Sequence, residues 1–360
     1  MGLHDRANAV PEYRHRAMPT CAIVSFRLGL SDGVSIVAAS WQRALEGLGF
    51  DVVTVAGAGP VDRLLPGLAI AAPEPPPTAD LERVLDDAAL VVVENLCTIP
   101  LNLPAARAVG RVLSGRPAVL HHHDPPWQLP QHAHVTELPL DDPSWRHVVI
   151  NEMTRAELAA RGIRAGVIRN GFDPDPPPGS RDATRAALDV AADERLFAHP
   201  VRAIRRKNVP GAIRYAEQLD ATYWLLGPAE DGYDDELRAA LRAARCRVIH
   251  RPSPGSMHDA YAASDAIVFP STWEGFGNPP IEAALHRRPA AVGHYPVADE
   301  VRTLGFQWFD PDRPADLDAF LRSPDDALLD RNQDLARAHF SFDRMASDVH
   351  ALLDGAGWLP

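Results

Sequence analysis

The sequence predicts an α/β chain built as two doubly wound domains. Three observations carry that expectation. Apolar runs of strand length alternate with helical patterns from residue 21 onward. A chain of 360 residues is too long for one ordinary open sheet and suits two domains of roughly 150 to 200 residues. Composition then shifts sharply at the Pro-rich stretch 173–179, which no periodic pattern spans, so the boundary is expected near Asn170.

In the first half, residues 21–26 form an apolar strand. The loop RLGLSDG leads into a helix whose apolar residues Val37, Trp41, Ala44, Leu45 and Leu48 recur at spacings of three and four, with Gly47 and Gly49 marking its end. Residues 50–55 are the next strand, so the chain opens as βαβ. Gly29 and Gly33 fall at the tip of the first loop, where doubly wound domains meet ligands, although a plain turn has the same composition. LGLSDG is not G-x-G-x-x-G and no acidic residue closes the second strand, so a dinucleotide site is not expected. Residues 59–78 carry little regular structure. A helix at 79–88, a strand at 90–93 ending in Glu94-Asn95, a helix at 104–113 and a strand at 117–121 follow. That strand runs out into HHHDPPWQLP, and a further strand (145–150) and helix (151–161) complete the half.

His121, His122 and His123 are neighbours in an extended segment, so they point to alternate sides and do not all converge on one ion. No metal is expected there. Polar groups at the C-terminal end of a parallel strand are nevertheless where α/β ligand sites are built.

The second half restarts with a helix at 180–188 and a strand at 196–201. Arg202, Arg205, Arg206 and Lys207 follow at once, before a helix at 209–219. A basic loop between a strand end and a helix start suits a diphosphate, since Arg offers a planar fork and Lys a point charge; a solvated basic loop is the alternative. A strand at 223–226, a helix at 234–244, a strand at 247–250 and a short helix at 257–263 deliver the chain to its most informative stretch. Residues 269–301 read FPSTWEGFGNPPIEAALHRRPAAVGHYPVADEV, a strand end, a Gly-punctuated loop, a helix and a second strand. Gly275 and Gly277 let backbone approach a ligand closely, and the first N–H groups of the helix lack intrahelical partners. Glu274 stands before that helix and Glu282 within it. Read singly, each is an ordinary helix charge. A short helix after Phe309-Asp310, another at 330–339 and a last one at 342–353 follow.

The pattern PS-x-x-EGFG-x-x-x-x-EA around Glu274 and Glu282 resembles the donor-site signature of retaining GT-B glycosyltransferases, most specifically glycosyltransferase family 4. The segment GVIRNGFD (166–173) resembles the passage between the two domains of that family. Arg202 and Lys207 match its spacing of an Arg at a strand end and a Lys five residues on. The resemblance implies a GT-B fold, two Rossmann-like doubly wound domains facing across a cleft. It divides the chain into an N-terminal arm (1–18), an acceptor domain (19–169) and a donor domain (170–341), with the last helix (342–360) packing back on the first domain.

By that resemblance Arg202 and Lys207 hold the donor's diphosphate, Glu274 contacts its sugar and Glu282 its ribose. Gly33, Gly275, Phe276, Gly277 and Asn278 complete the donor site, and His123 faces the sugar, with His122 the candidate one register away. Asp124, Trp127 and Tyr295 are candidates for the acceptor or sugar pocket. Glu300 stands where the family often carries an acidic residue. The implied reaction moves a hexosyl group from a UDP- or GDP-sugar to a hydroxyl acceptor with retention, without metal or other cofactor. A sugar-nucleotide epimerase or hydrolase of the same architecture, or a nucleotide-sugar-binding subunit without activity, remains the alternative. This chain departs from the family at Arg287-Arg288, at HYPVADE in place of a Gly-rich turn, and at a first loop without adjacent glycines.

A net charge of −12 disfavours a general nucleic-acid or anionic-membrane surface. No run of about 18 apolar residues is present, so no membrane span is expected. The first residues are polar where a signal peptide needs an apolar stretch. Cys21, Cys97 and Cys246 show no C-x-x-C spacing, which points to a reducing, cytoplasmic setting without zinc or a disulfide framework.

Overall fold

A computed structural model describes residues 18–30 and 32–360; the expected N-terminal arm lies outside them but for Met18. The first sheet contains β1 (Thr20–Arg27), β2 (Asp51–Ala58), β3 (Arg63–Leu64), β4 (Ala88–Glu94), β5 (Ala118–His122), β6 (Trp145–Val149) and β7 (Ala165–Val167). Its order is β3-β2-β1-β4-β5-β6-β7. Helices α1 (Gly33–Gly47), α2 (Thr78–Leu85), α3 (Leu103–Leu113) and α4 (Glu152–Ala159) connect its strands. After α5 (Arg181–Ala187), the second sheet contains β8 (Leu196–His199), β9 (Thr222–Leu225), β10 (Val248–His250), β11 (Ala266–Phe269) and β12 (Ala290–Val292), in the order β10-β9-β8-β11-β12. Its connections are α6 (Val209–Gln218), α7 (Asp234–Ala243), α8 (Met257–Ala263) and α9 (Asn278–Leu285). Then come α10 (Pro296–Arg302), α11 (Pro314–Arg322), α12 (Asp326–Phe340) and α13 (Phe342–Ala356).

Every ladder in both sheets is parallel. Central strands of such sheets are covered on both faces, which is why β1, β4 and β5 read as near-continuous apolar runs. Helix α1 forms because Asp32 accepts from Ser35 N at its start and Val37, Ala38, Trp41, Ala44 and Leu45 share the buried face. The stretch 59–78 is more ordered than expected: Arg63 and Leu64 pair with Val55 and Ala56, adding a two-residue edge strand. Helix α12 starts four residues before the expected 330, where Asp325 accepts from Ala327 N.

Strand order reverses once in each sheet, beside β1 and β4 in the first and beside β8 and β11 in the second. Loops leaving the C-terminal strand ends at such a reversal run to opposite faces and open a crevice. The two crevices face each other. Asn151, at the end of β6, donates to Gly275 O after β11 at 2.6 Å, and Ile150 packs in one cluster with Phe276, Ile281 and Phe340. Helix α13 recrosses to the first domain, where Met345, Val349 and Leu353 share a core with Trp41 and Leu45. The two crossings lie side by side, since Phe172 N donates to Phe340 O and Phe342 N to Phe172 O.

Candidate active site

The loop after β8 tightens into a 3₁₀ turn at Arg205–Lys207, and Asn208, at φ 53°, caps α6 by accepting from Gly211 N. That turn brings Lys207 Nζ to 2.5 Å from Glu274 Oε1, in the loop after β11. Arg206 donates to the same carboxylate and to Trp273 O, while Thr272 N donates back to Arg206 O at 2.9 Å. Burial lowers the Lys207 ammonium from its ordinary value, and the charges of Arg206 and Arg202 add to that; Glu274 opposes both. Two cations on one carboxylate leave a net positive centre at the reversal point of the second sheet. Arg202 is turned toward the loop after β9 and pairs with Glu230 at 2.6 Å.

Gly277 adopts φ +91°, and a Cβ there would lie 2.5 Å from the Tyr295 hydroxyl, so this turn requires glycine. Tyr295, expected to border an open pocket, is buried beneath the loop and starts α10. Phe276, expected at the donor site, turns its ring into the apolar cluster with Phe172 and Phe340; only its backbone faces the loop. Asn278 opens α9 and accepts from Asn170 Nδ2 at 3.1 Å. Within α9, the partly buried Glu282 accepts from Tyr261 Oη at 2.5 Å; burial raises its carboxyl, and the Tyr261 bond partly offsets that. A cavity of about 580 Å³ lies beside the ends of β9 and β10, lined by Gly227, Pro228, Leu237, Arg251 and Pro252 among others.

Across the crevice, His123 is held by Glu94, which ends β4, and by Asn95, which follows it. Its Nε2 lies 2.9 Å from Glu94 Oε2, and Asn95 Oδ1 accepts from His123 N and Asp124 N. Asn95, itself at φ 58°, also donates to Asp124 Oδ2 at 3.0 Å. The His123 carbonyl would stand 3.1 Å from a Cβ on Gly275, which places it where the two domains meet. His121 sits one repeat deeper on the same face, with Nδ1 3.0 Å from Glu94 Oε2. Burial pushes the Glu94 carboxyl up, but the two imidazoles outweigh it and hold it at about 2.

Glu94, His121 and His123 therefore bring three potential metal-ligating atoms together, all buried. They do not fit a resident metal. Ligation through Nδ1 would leave His121 with a proton on Nε2, and that atom is buried with no hydrogen-bond partner. Metal-bound imidazoles characteristically donate their other N–H to an acceptor. Hydrogen bonding to an ionised Glu94 leaves only a lone pair at that position.

His122 points to the opposite face, as strand alternation demands. It is buried between Thr98, 2.5 Å from its Nδ1, and His147, 2.8 Å from its Nε2, so it does not line the crevice as the alternative register required. Trp127 stacks under Arg161 and donates to Glu157 of α4. Gly33, expected at a loop tip, is instead the first residue of α1, and Gly29 carries the turn with φ +74°. Sequence reasoning passed over Glu94 and the part of Arg206 in holding Glu274. A strand-end carboxylate one ladder position from a histidine was the available signal: Glu94 pairs with His121 in register.

The second domain also holds the first through Glu300, whose carboxylate accepts from Glu152 N at 2.9 Å and Met153 N at 3.3 Å and pairs with Arg169 at 3.0 Å. This seats an anion on the N-terminus of α4.

Residues 180–336 match the model of the family glycosyl transferases group 1. The second domain is thus a glycosyl transferases group 1 domain, and the chain has the GT-B fold. Mannosylglucosylglycerate synthase of Petrotoga mobilis is 26% identical over 61% of this chain and 63% of its own length. The protein of that name from Thermotoga maritima is 24% identical over 80% of this chain and 83% of its own length. Among solved structures, Anabaena Alr3699/HepE in complex with UDP-glucose superposes with a TM-score of 0.74, covering 93% of this chain and 99% of that one at 20% identity. At that identity the likeness is one of fold. No helix among the described residues is long and apolar enough to cross a membrane.

Proposed function

We propose that this glycosyltransferase moves a hexosyl group from a nucleoside-diphosphate sugar to a hydroxyl acceptor with retention of anomeric configuration, using no metal. The observation that carries this reading is the Lys207–Arg206–Glu274 cluster at the reversal point of the second sheet, opposite His123. Lys207 in this cluster and Arg202, exchanging its bond to Glu230, bind the diphosphate and offset the charge that develops as it leaves, a task preorganised cations perform well in a partly dry site. Backbone N–H groups at Gly275 to Asn278 and the Glu274 carboxylate hold sugar hydroxyls. Glu282 takes the ribose hydroxyls, exchanging its bond to Tyr261, and the cavity beside β9 and β10 takes the base.

As the anomeric carbon–oxygen bond to the β-phosphate breaks, the acceptor oxygen bonds to the same face of the sugar. The acceptor's proton passes to the departing phosphate oxygen, so no side-chain nucleophile is required. UDP-glucose in the structure of HepE and the sugar products named for the curated relatives support a nucleotide-sugar donor. A thermal-shift screen of UDP- and GDP-sugars, followed by mass spectrometry of products with small hydroxylated acceptors, tests the reading. Nucleotide release that is independent of acceptor, or a new sugar nucleotide formed without one, counts against it.

A further inference from the structure

The buried cluster behind His123 determines what that histidine presents to the crevice. Glu94 is fully buried at the end of β4, and its hydrogen-bond partners are the two imidazoles. An ionised carboxylate only accepts, so both ring nitrogens that touch it must donate. His121 is thereby fixed with its proton on Nδ1 and its buried, unpartnered Nε2 a lone pair, a smaller cost than an orphaned N–H. His123, as the neutral imidazole, is fixed with its proton on Nε2. Its Nδ1 receives no hydrogen bond from the described residues and is not walled off from solvent.

The next residue completes the arrangement from the backbone side. Asn95, in the left-handed region, accepts from His123 N and Asp124 N and donates to the Asp124 carboxylate, so the turn that carries the ring is pinned as the ring is. Glu94, which ends β4, and Asn95, which follows it, are therefore two consecutive side chains that hold one histidine, one by its ring and one by its amide.

Resting on the transferase reading above, we infer that Glu94 is a positioning residue: it fixes His123 as the Nε2–H tautomer and so presents Nδ1 to the crevice as a hydrogen-bond acceptor for a hydroxyl of the sugar or of the acceptor. A hydroxyl that donates to Nδ1 has its oxygen oriented toward the reacting centre without transfer of its proton to the ring. Tautomer control by a buried carboxylate is the same physical device that orients an imidazole in a catalytic triad, used here to select an acceptor.

The test reads the tautomer directly. Long-range ¹H–¹⁵N spectra of protein labelled at histidine, with His123→Asn to assign its resonances, should show the Nε2–H form in the wild type. Adding UDP-glucose or GDP-mannose together with the acceptor should move the Nδ1 resonance. Glu94→Gln should give mixed tautomers and lower kcat about 10- to 100-fold, with the donor KM within about twofold. Glu94→Asp, which keeps the charge, should recover part of the loss. Nucleotide binding by calorimetry shows that each variant retains its second domain. An Nδ1–H tautomer in the wild type overturns the inference even where the variant fails to fold, as does full kcat in Glu94→Gln. A wild type that transfers no sugar defeats the proposed function while leaving the tautomer to be read on its own.

Discussion

Lys207 Nζ donates to Glu274 Oε1 at 2.5 Å, tying the loop after β8 to the loop after β11. Both side chains are nearly buried, and Arg206 lies on the other oxygen of the same carboxylate. The basic loop is therefore kept in place by the acidic one before any phosphate arrives, and one positive charge remains to attract it.

Removing that ammonium tests the donor site. Lys207→Ala is expected to weaken binding of UDP or GDP by about tenfold or more and to lower kcat/KM by about 100-fold, since a charge-assisted contact to the leaving group is lost. Glu274 keeps Arg206, so the fold should persist. Calorimetry and initial rates measure both effects, and wild-type turnover would remove the basic loop from the mechanism.

Gly277 should not tolerate even one added methyl group. With φ at +91° and Tyr295 Oη 2.5 Å from the added carbon, Gly277→Ala is expected to cost about 1 to 3 kcal/mol and to abolish donor binding. Combining it with Tyr295→Phe should recover part of the melting temperature, because the hydroxyl in the way is gone while the backbone strain stays.

Glu300 is expected to hold the domains together in the absence of ligand. Glu300→Ala removes the anion from the start of α4 and from Arg169, so small-angle scattering should show a larger radius of gyration than in the wild type. Equal radii would mean that the apolar cluster around Phe276 suffices.

Acid should destabilise the protein well before its carboxylates titrate. Burial, and secondarily the charge of Lys207, lowers the His199 imidazole from 6.5 to about 3. The unfolded chain takes up that proton as pH falls through 6.5 and the folded one does not, so stability is whole above 6.5 and declines from there toward 3. For His199 the loss at pH 5 is about 2 kcal/mol. Glu94, held at about 2 against an ordinary 4.5, adds its own loss only below 4.5. Melting temperatures at pH 7.5 and pH 5 should differ, and His199→Gln should narrow the gap; an unchanged gap would clear His199.

Chelation should leave turnover almost unchanged. Activity that disappears with EDTA and returns with magnesium or manganese would contradict both the metal-free reading and the hydrogen-bonded account of Glu94, His121 and His123.

Much of the fold was legible because parallel strands buried on both faces leave apolar runs that no other element imitates. The loops at the reversal points were legible too, since Arg202 to Lys207 and Glu274 to Asn278 follow directly on such runs. The edge strand β3 escaped because two residues carry no periodicity, and its pairing is set by the neighbour Val55 to Ala56. Glu94 was passed over for a related reason: its meaning lies in His121 and His123, on the adjacent strand. Tyr295 was misplaced because an aromatic ring beside a proline fits an open pocket and a buried wall equally well. Packing beneath Gly277 decided between them.

Helix α13 closes the first domain's core with Met345, Val349 and Leu353, yet it lies beyond the whole second domain in the chain. During synthesis the first sheet must therefore wait, with the apolar face around Trp41 uncovered, until nearly all of the donor half has left the ribosome. Loss of α13 would spare every group in the crevice and still yield a product for the cell's chaperones and proteases.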